Sequence, residues 1–227
     1  MNSHRTAARV FGIFFILAFL SYGIGSGLVD SITKVPNFLS NVYANQMIVI
    51  IGVILMALIH SFVNIGLPVV VLPILKPFNK RLTYGYLSAA IAATVVLIVG
   101  AIFLLLLLPL SDEFVKAGSA AAPPFETMGI LLKKGGAFAY QIGMALWGLG
   151  GLMFVSLLYK SKLVPRLFSY WGFIGYIIFV TGMIIDLFGN SVGFILSMPG
   201  GLFEVALSIW LIVKGFNSSA IASESAK

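Results

Sequence analysis

The sequence predicts an all-α polytopic membrane protein, a bundle of six transmembrane helices with both termini cytoplasmic. Three observations carry this prediction. Six apolar runs each reach the ~20 residues a helix needs to cross a bilayer. Only 9% of the 227 residues are charged and 60% are apolar, against about 25% and 45–50% in soluble domains. Basic residues also alternate between rich and poor loops along the chain. A barrel is excluded because runs such as Ile102-Phe103-Leu104-Leu105-Leu106 lack the alternation of membrane strands. Helices remain, since a lipid-exposed backbone must satisfy its own hydrogen bonds.

The spans fall at about residues 8–29, 46–75, 84–110, 138–159, 167–188 and 192–213, within one domain covering residues 1–216. The first run is too long for the ~7–15-residue apolar core of a signal peptide and is expected to stay in the chain. Two connecting segments have helical spacing of their own. Phe38, Leu39, Val42 and Tyr43 follow Pro36-Asn37, and Phe125, Met128 and Leu131 follow Pro123-Pro124. Each predicts a short helix at the interface, because proline suits a first helical turn, with a lid over a cavity as the alternative. Residues 217–227 are small and polar and are expected to form a disordered tail.

Orientation follows from charge. Arg5, Arg9, Lys76, Lys80, Arg81, Lys160, Lys162, Arg166, Lys214 and Lys227 fall on one side of a six-span chain, and only Lys34, Lys116, Lys133 and Lys134 on the other. This is the positive-inside pattern of a plasma-membrane protein. The net charge of +7 is therefore assigned to contact with anionic lipid at the cytoplasmic face, and no nucleic-acid partner is implied.

Polar residues within the spans are the candidates for function, because an ionisable group at mid-bilayer costs about 2.5–3.5 kcal/mol and usually faces a partner inside the bundle. His60 and Glu204 lie near the middle of spans two and six, and Asn64 shares a helix face with His60. These three are expected to meet in one polar cluster. Trp147, Gln141 and Asp186 are candidates for lining a cavity. Gly23 with Gly27, and Gly189 with Gly193, have the four-residue spacing of helix-packing faces, while Gly143, Gly148, Gly150 and Gly151 make span four loose around Trp147. Pro68, Pro73 and Pro199-Gly200-Gly201 interrupt spans two and six. Broken helices often line transporter sites.

Several chemistries fall away. The chain has no cysteine and only two histidines, so thiolate, disulfide and three-histidine zinc chemistry have no basis. No phosphate-binding GxxxxGK[ST] loop occurs, and no α/β-hydrolase site is indicated, since Gly189-Asn190-Ser191-Val192-Gly193 has the GxSxG spacing but lies between two membrane spans and not after a strand. Ser61 adjoins His60, but neighbouring helix residues point about 100° apart. No cofactor or metal is implied.

Further residues resemble a known family. Lys76-Pro77-Phe78-Asn79-Lys80 follows span two, and the run from Leu157 to Arg166 leads to Gly172 and Gly175. Pro199, Glu204, Leu207, Trp210, Leu211 and Lys214-Gly215 close the set. In this order and spacing the chain resembles the bacterial membrane family of unknown function numbered 4386. The resemblance implies a compact multi-span architecture and transfers no site. It also implies a basic residue early in span three. This chain has Ser88-Ala89-Ala90-Ile91-Ala92 there, so Glu204 needs another partner, for which His60 is the candidate. The functional expectation is a non-enzymatic protein that binds or passes a small solute or lipid headgroup at the polar cluster. An intramembrane enzyme acting on a lipid, with His60 and Glu204 as acid and base, is one alternative. An accessory subunit without a site is the other.

Overall fold

A backbone in lipid has no hydrogen-bond partner but itself, and this chain answers with helices alone. The computed structural model describes residues 2–118 and 122–225, and every regular element among them is helical. In chain order these are α1 (Asn2–Thr33), α2 (Phe38–Ala44), α3 (Gln46–Ile54), a π-helical turn (Leu55–Ile59), α4 (His60–Leu75) and α5 (Lys80–Leu105). They continue with α6 (Leu107–Ala117), α7 (Ala122–Ser161), α8 (Arg166–Leu187), α9 (Gly193–Val213) and α10 (Ser218–Ser225). Six stretches are long and apolar enough to cross a membrane: His4–Thr33, Gln46–Leu75, Lys80–Ala117, Pro123–Ser161, Arg166–Leu187 and Gly193–Val213. Large apolar side chains such as Phe62, Leu167, Phe194 and Ile195 are at least 68% exposed, as a lipid-facing surface requires.

Four expectations change in detail. The segment after Pro123-Pro124 is the first part of α7 and not a separate helix, because proline in a first turn lacks only donors that the helix leaves unused. Pro68, Pro73 and Pro199 lie inside continuous helices, so spans two and six are not split into half-helices; the irregular stretch is the π turn. Residues 218–225 are helical where a disordered tail is expected. Asn217 starts this helix, its Oδ1 accepting from the Ser219 N–H at 3.2 Å and hydroxyl at 2.7 Å, the usual role of an N-cap asparagine. Lys227 lies outside the described residues, as does the side chain of Glu224. The glycine pattern is the fourth, and it follows from the packing.

Residues group into two compact units: Met1–Leu17, Val63–Thr94 and Gln141–Lys227 in the first, Ala18–Phe62 and Val95–Tyr140 in the second. In the first, aromatic rings fill the core, with Tyr86 stacked on Phe154 at 5.0 Å and Phe11 set edge-on to Phe15 at 5.1 Å. Helices α8 and α9 approach through glycine. A Cβ on Gly175 would sit 2.9 Å from the Gly200 Cα, and one on Gly182 would sit 2.7 Å from the Leu196 Cβ. Asp186 closes the turn between them, its Oδ1 accepting from the Val192 and Gly193 N–H groups at 2.8 Å each.

In the second unit, Val29, Val49, Val53, Met56 and Ala101 form one buried cluster, and Phe38, Leu39, Val42, Leu107 and Leu110 another. Gly25 and Gly52 meet face to face: a Cβ on either would come within 2.8 Å of the other's carbonyl oxygen. Gly23 and Gly27 have open space beside them, so the predicted packing pair lies on the wrong side of α1. Gly189 likewise has nothing near it and instead takes the left-handed conformation of a turn, at φ 89°.

Candidate functional site

Glu204 is the buried carboxylate of the first unit, 7% exposed on α9. One oxygen receives two donors: the Trp147 indole N–H at 3.0 Å and the Tyr176 hydroxyl at 2.6 Å. The short second distance is typical of a charge-assisted O–H donor. Glycine makes this possible. A Cβ on Gly151 would strike the Tyr176 ring, and one on Gly148 would come 2.8 Å from the Phe179 ring. Span four is thus tightly packed against its neighbours, and the looseness predicted around Trp147 is absent.

A second tyrosine packs against the Trp147 side of the site. Tyr86 is buried on α5, with its ring 6.3 Å from that of Trp147, the indole that donates to Glu204. Its hydroxyl is buried without a hydrogen-bond partner. The result is one carboxylate, two donors that orient it, and a phenol with an unused donor and acceptor. Such a group can hold a small polar species by hydrogen bonds. Among the described residues, no set of histidine and carboxylate side chains is placed to hold a metal ion.

The other predicted residues have partners of their own. Asn64, in the first unit, donates from Nδ2 to the Thr94 hydroxyl at 2.9 Å, and Thr94 donates to the Ala90 carbonyl at 2.7 Å. His60 belongs to the second unit. Its Nδ1 donates to the Ala18 carbonyl at 3.2 Å, and its ring lies edge-on to Tyr22, which stacks on Tyr140. Ser61 Oγ is buried with no partner, so no serine–histidine hydrogen bond forms. Gln141 Oε1 is buried and unpartnered too, while Asp186 is engaged by the α9 N-terminus.

The π turn explains how His60 reaches α1. Ala18 and Gly25 are seven residues apart on α1, whereas Gly52 and His60, which face them, are eight apart. Seven residues return to nearly the same helix face, but eight overshoot by about 80°. The turn absorbs the additional residue, the His60 N–H donating to the Leu55 carbonyl five positions back. Insertions of this kind recur at functional positions.

Residues 10–215 match the sequence family described as a domain of unknown function, DUF4386. The chain belongs to the DUF4386 family. No curated protein and no solved structure matches it. In this DUF4386 protein the last-span acid is met by Trp147 and Tyr176. The sequence singles out Trp147 only as a cavity-lining candidate, although a buried indole N–H needs an acceptor and that signal pairs it with an intramembrane acid. Tyr176 and Tyr86 carry no such signal, because in an aromatic-rich chain a tyrosine within a span reads as packing.

Proposed function

We propose that the protein is a non-enzymatic, multi-pass protein of the plasma membrane, with both termini in the cytoplasm, that holds a small polar solute at Glu204. The orientation is supported by ten basic residues on one side against four on the other. The solute reading is carried by one observation, the buried Tyr86 hydroxyl left without a partner in the core that also holds Glu204. An unmet buried hydroxyl costs about 1–3 kcal/mol. An amine- or hydroxyl-bearing solute bridging Tyr86 and Glu204 would remove that cost, with Trp147 and Tyr176 keeping the carboxylate in position. A structural role is favoured by a different observation: one Glu204 oxygen already has two donors, which tie α7 and α8 to α9.

Thermal unfolding of the purified protein in detergent separates the two readings. Wild type, Tyr86→Phe and Glu204→Gln are each screened against ammonium, small amines, polyols and amino acids. A solute that raises the wild-type midpoint but not that of Glu204→Gln supports the binding site. If no solute does so, and Tyr86→Phe is as stable as wild type or more so, the site is a packing joint. Orientation is tested separately in this cysteine-free chain. An impermeant maleimide should label Asn190→Cys in intact cells, and Ser219→Cys only after permeabilisation.

A further inference from the structure

At the ends of α7, α8 and α9 the first unit has a crevice of about 570 Å³, within the ~300–1,000 Å³ of small-ligand sites. Lys162, Arg166, Trp210, Lys214 and Asn217 line it, and none of its lining residues is acidic. We propose that this crevice binds a phosphate group between Lys162, Arg166 and Lys214. It is a different site from Glu204 and does not depend on the reading given to that residue.

Charge is the first argument. The ion pairs among the described residues are Lys34 with Asp30 and Lys116 with Glu113, so the three crevice cations have no carboxylate partner there. A lysine also suits the carbonyl end of a helix, which accounts for Lys162 after α7 and Lys214 after α9 singly. It does not account for their convergence with Arg166, at the opposite kind of helix end, around one cavity. Arg166 opens α8, whose first turn has no side-chain cap, and helix N-termini favour anions.

Backbone strain is the second argument. Lys162 has φ 55°, a left-handed conformation in which its N–H still donates to the Leu158 carbonyl. Glycine is the residue that ends a helix this way at least cost. A lysine here gives up backbone stability, and its charge is what glycine would lack. Strain held against the local preference is a mark of function.

The site is also built in advance. Gly215, at φ 76°, turns the chain after α9 so that the Asn217 N–H donates to the Leu163 carbonyl at 2.9 Å. The Arg166 guanidinium rests 5.5 Å from the Tyr159 ring centre. Both walls are therefore held in place by bonds within the protein, which lowers the ordering cost of binding.

Native mass spectrometry of the full chain in detergent tests the proposal. Three probes are titrated: dioleoyl phosphatidylglycerol, dioleoylglycerol as a lipid with the same chains and no phosphate, and inorganic phosphate as a competitor. Wild type should retain one phosphatidylglycerol in preference to dioleoylglycerol. Lys162→Gly and Arg166→Gln should each weaken that binding about tenfold, the equivalent of one charge-assisted hydrogen bond. Lys162→Gly should unfold at the wild-type temperature or above, which separates lost binding from lost folding. Displacement of the lipid by millimolar inorganic phosphate identifies a site for free phosphate esters, and resistance to it a lipid headgroup site. Equal retention of the two lipids with no phosphate binding, or unchanged binding in both variants, overturns the proposal.

Discussion

The Tyr176 hydroxyl donates to Glu204 Oε1 at 2.6 Å across 28 positions of sequence, and the absent side chain of Gly151 is what admits the tyrosine ring. Hydrogen bonds between membrane helices average about 0.6 kcal/mol. One to a carboxylate, in a site where both groups are buried, should exceed that. A double-mutant cycle of Tyr176→Phe and Glu204→Gln, read by chemical or thermal unfolding in detergent, should give a coupling of about 1–2 kcal/mol. A coupling at or below the membrane average would mean that the pair is ordinary packing.

Two glycine pairs make opposite predictions. Gly25→Leu should lower the unfolding midpoint sharply and reduce folded yield, because its Cβ alone would come 2.6 Å from the Gly52 carbonyl oxygen. Gly23→Leu should be tolerated, since nothing lies within 4 Å of the corresponding position. Size-exclusion profiles and thermal melts of the two variants check this, and equal damage from both would place the helix contact on another face of α1.

Deletion of Leu58, an exposed residue of the π turn, should be accepted. It leaves Gly52 and His60 seven residues apart, so a regular α-helix presents both to α1. Deletion of Val70, in the regular part of α4, has no surplus residue to absorb it and should abolish folding. Comparable losses in the two deletions would show that the turn is not a register device.

Asp186 terminates the connection between α8 and α9 by accepting from two backbone N–H groups. Asp186→Ala should cost about 0.5–2 kcal/mol, as the loss of a helix N-cap does. Its effect should be on stability alone, with any solute bound at Glu204 retained. Loss of solute binding at unchanged stability would instead make Asp186 part of a binding cavity.

What the sequence determined by itself was the class and the count: helices, six of them long and apolar enough to span a bilayer, with His60, Asn64 and Glu204 as the costly polar groups inside. Those properties depend on hydrophobicity summed over ~20 residues and on the absence of solvent for the backbone, and both are local. The partners were decided only in three dimensions. Thr94 meets Asn64, while Tyr176 meets Glu204 and Ala18 meets His60 where Gly151 and the Gly25–Gly52 pair let helices approach. Spacing of small residues cannot say which face of a helix turns inward when every face is apolar, and so it points to Gly23 and Gly27 where Gly25 makes the contact. The π turn was hidden for the same reason. It answers a one-residue mismatch between two helices, and neither helix carries that mismatch alone.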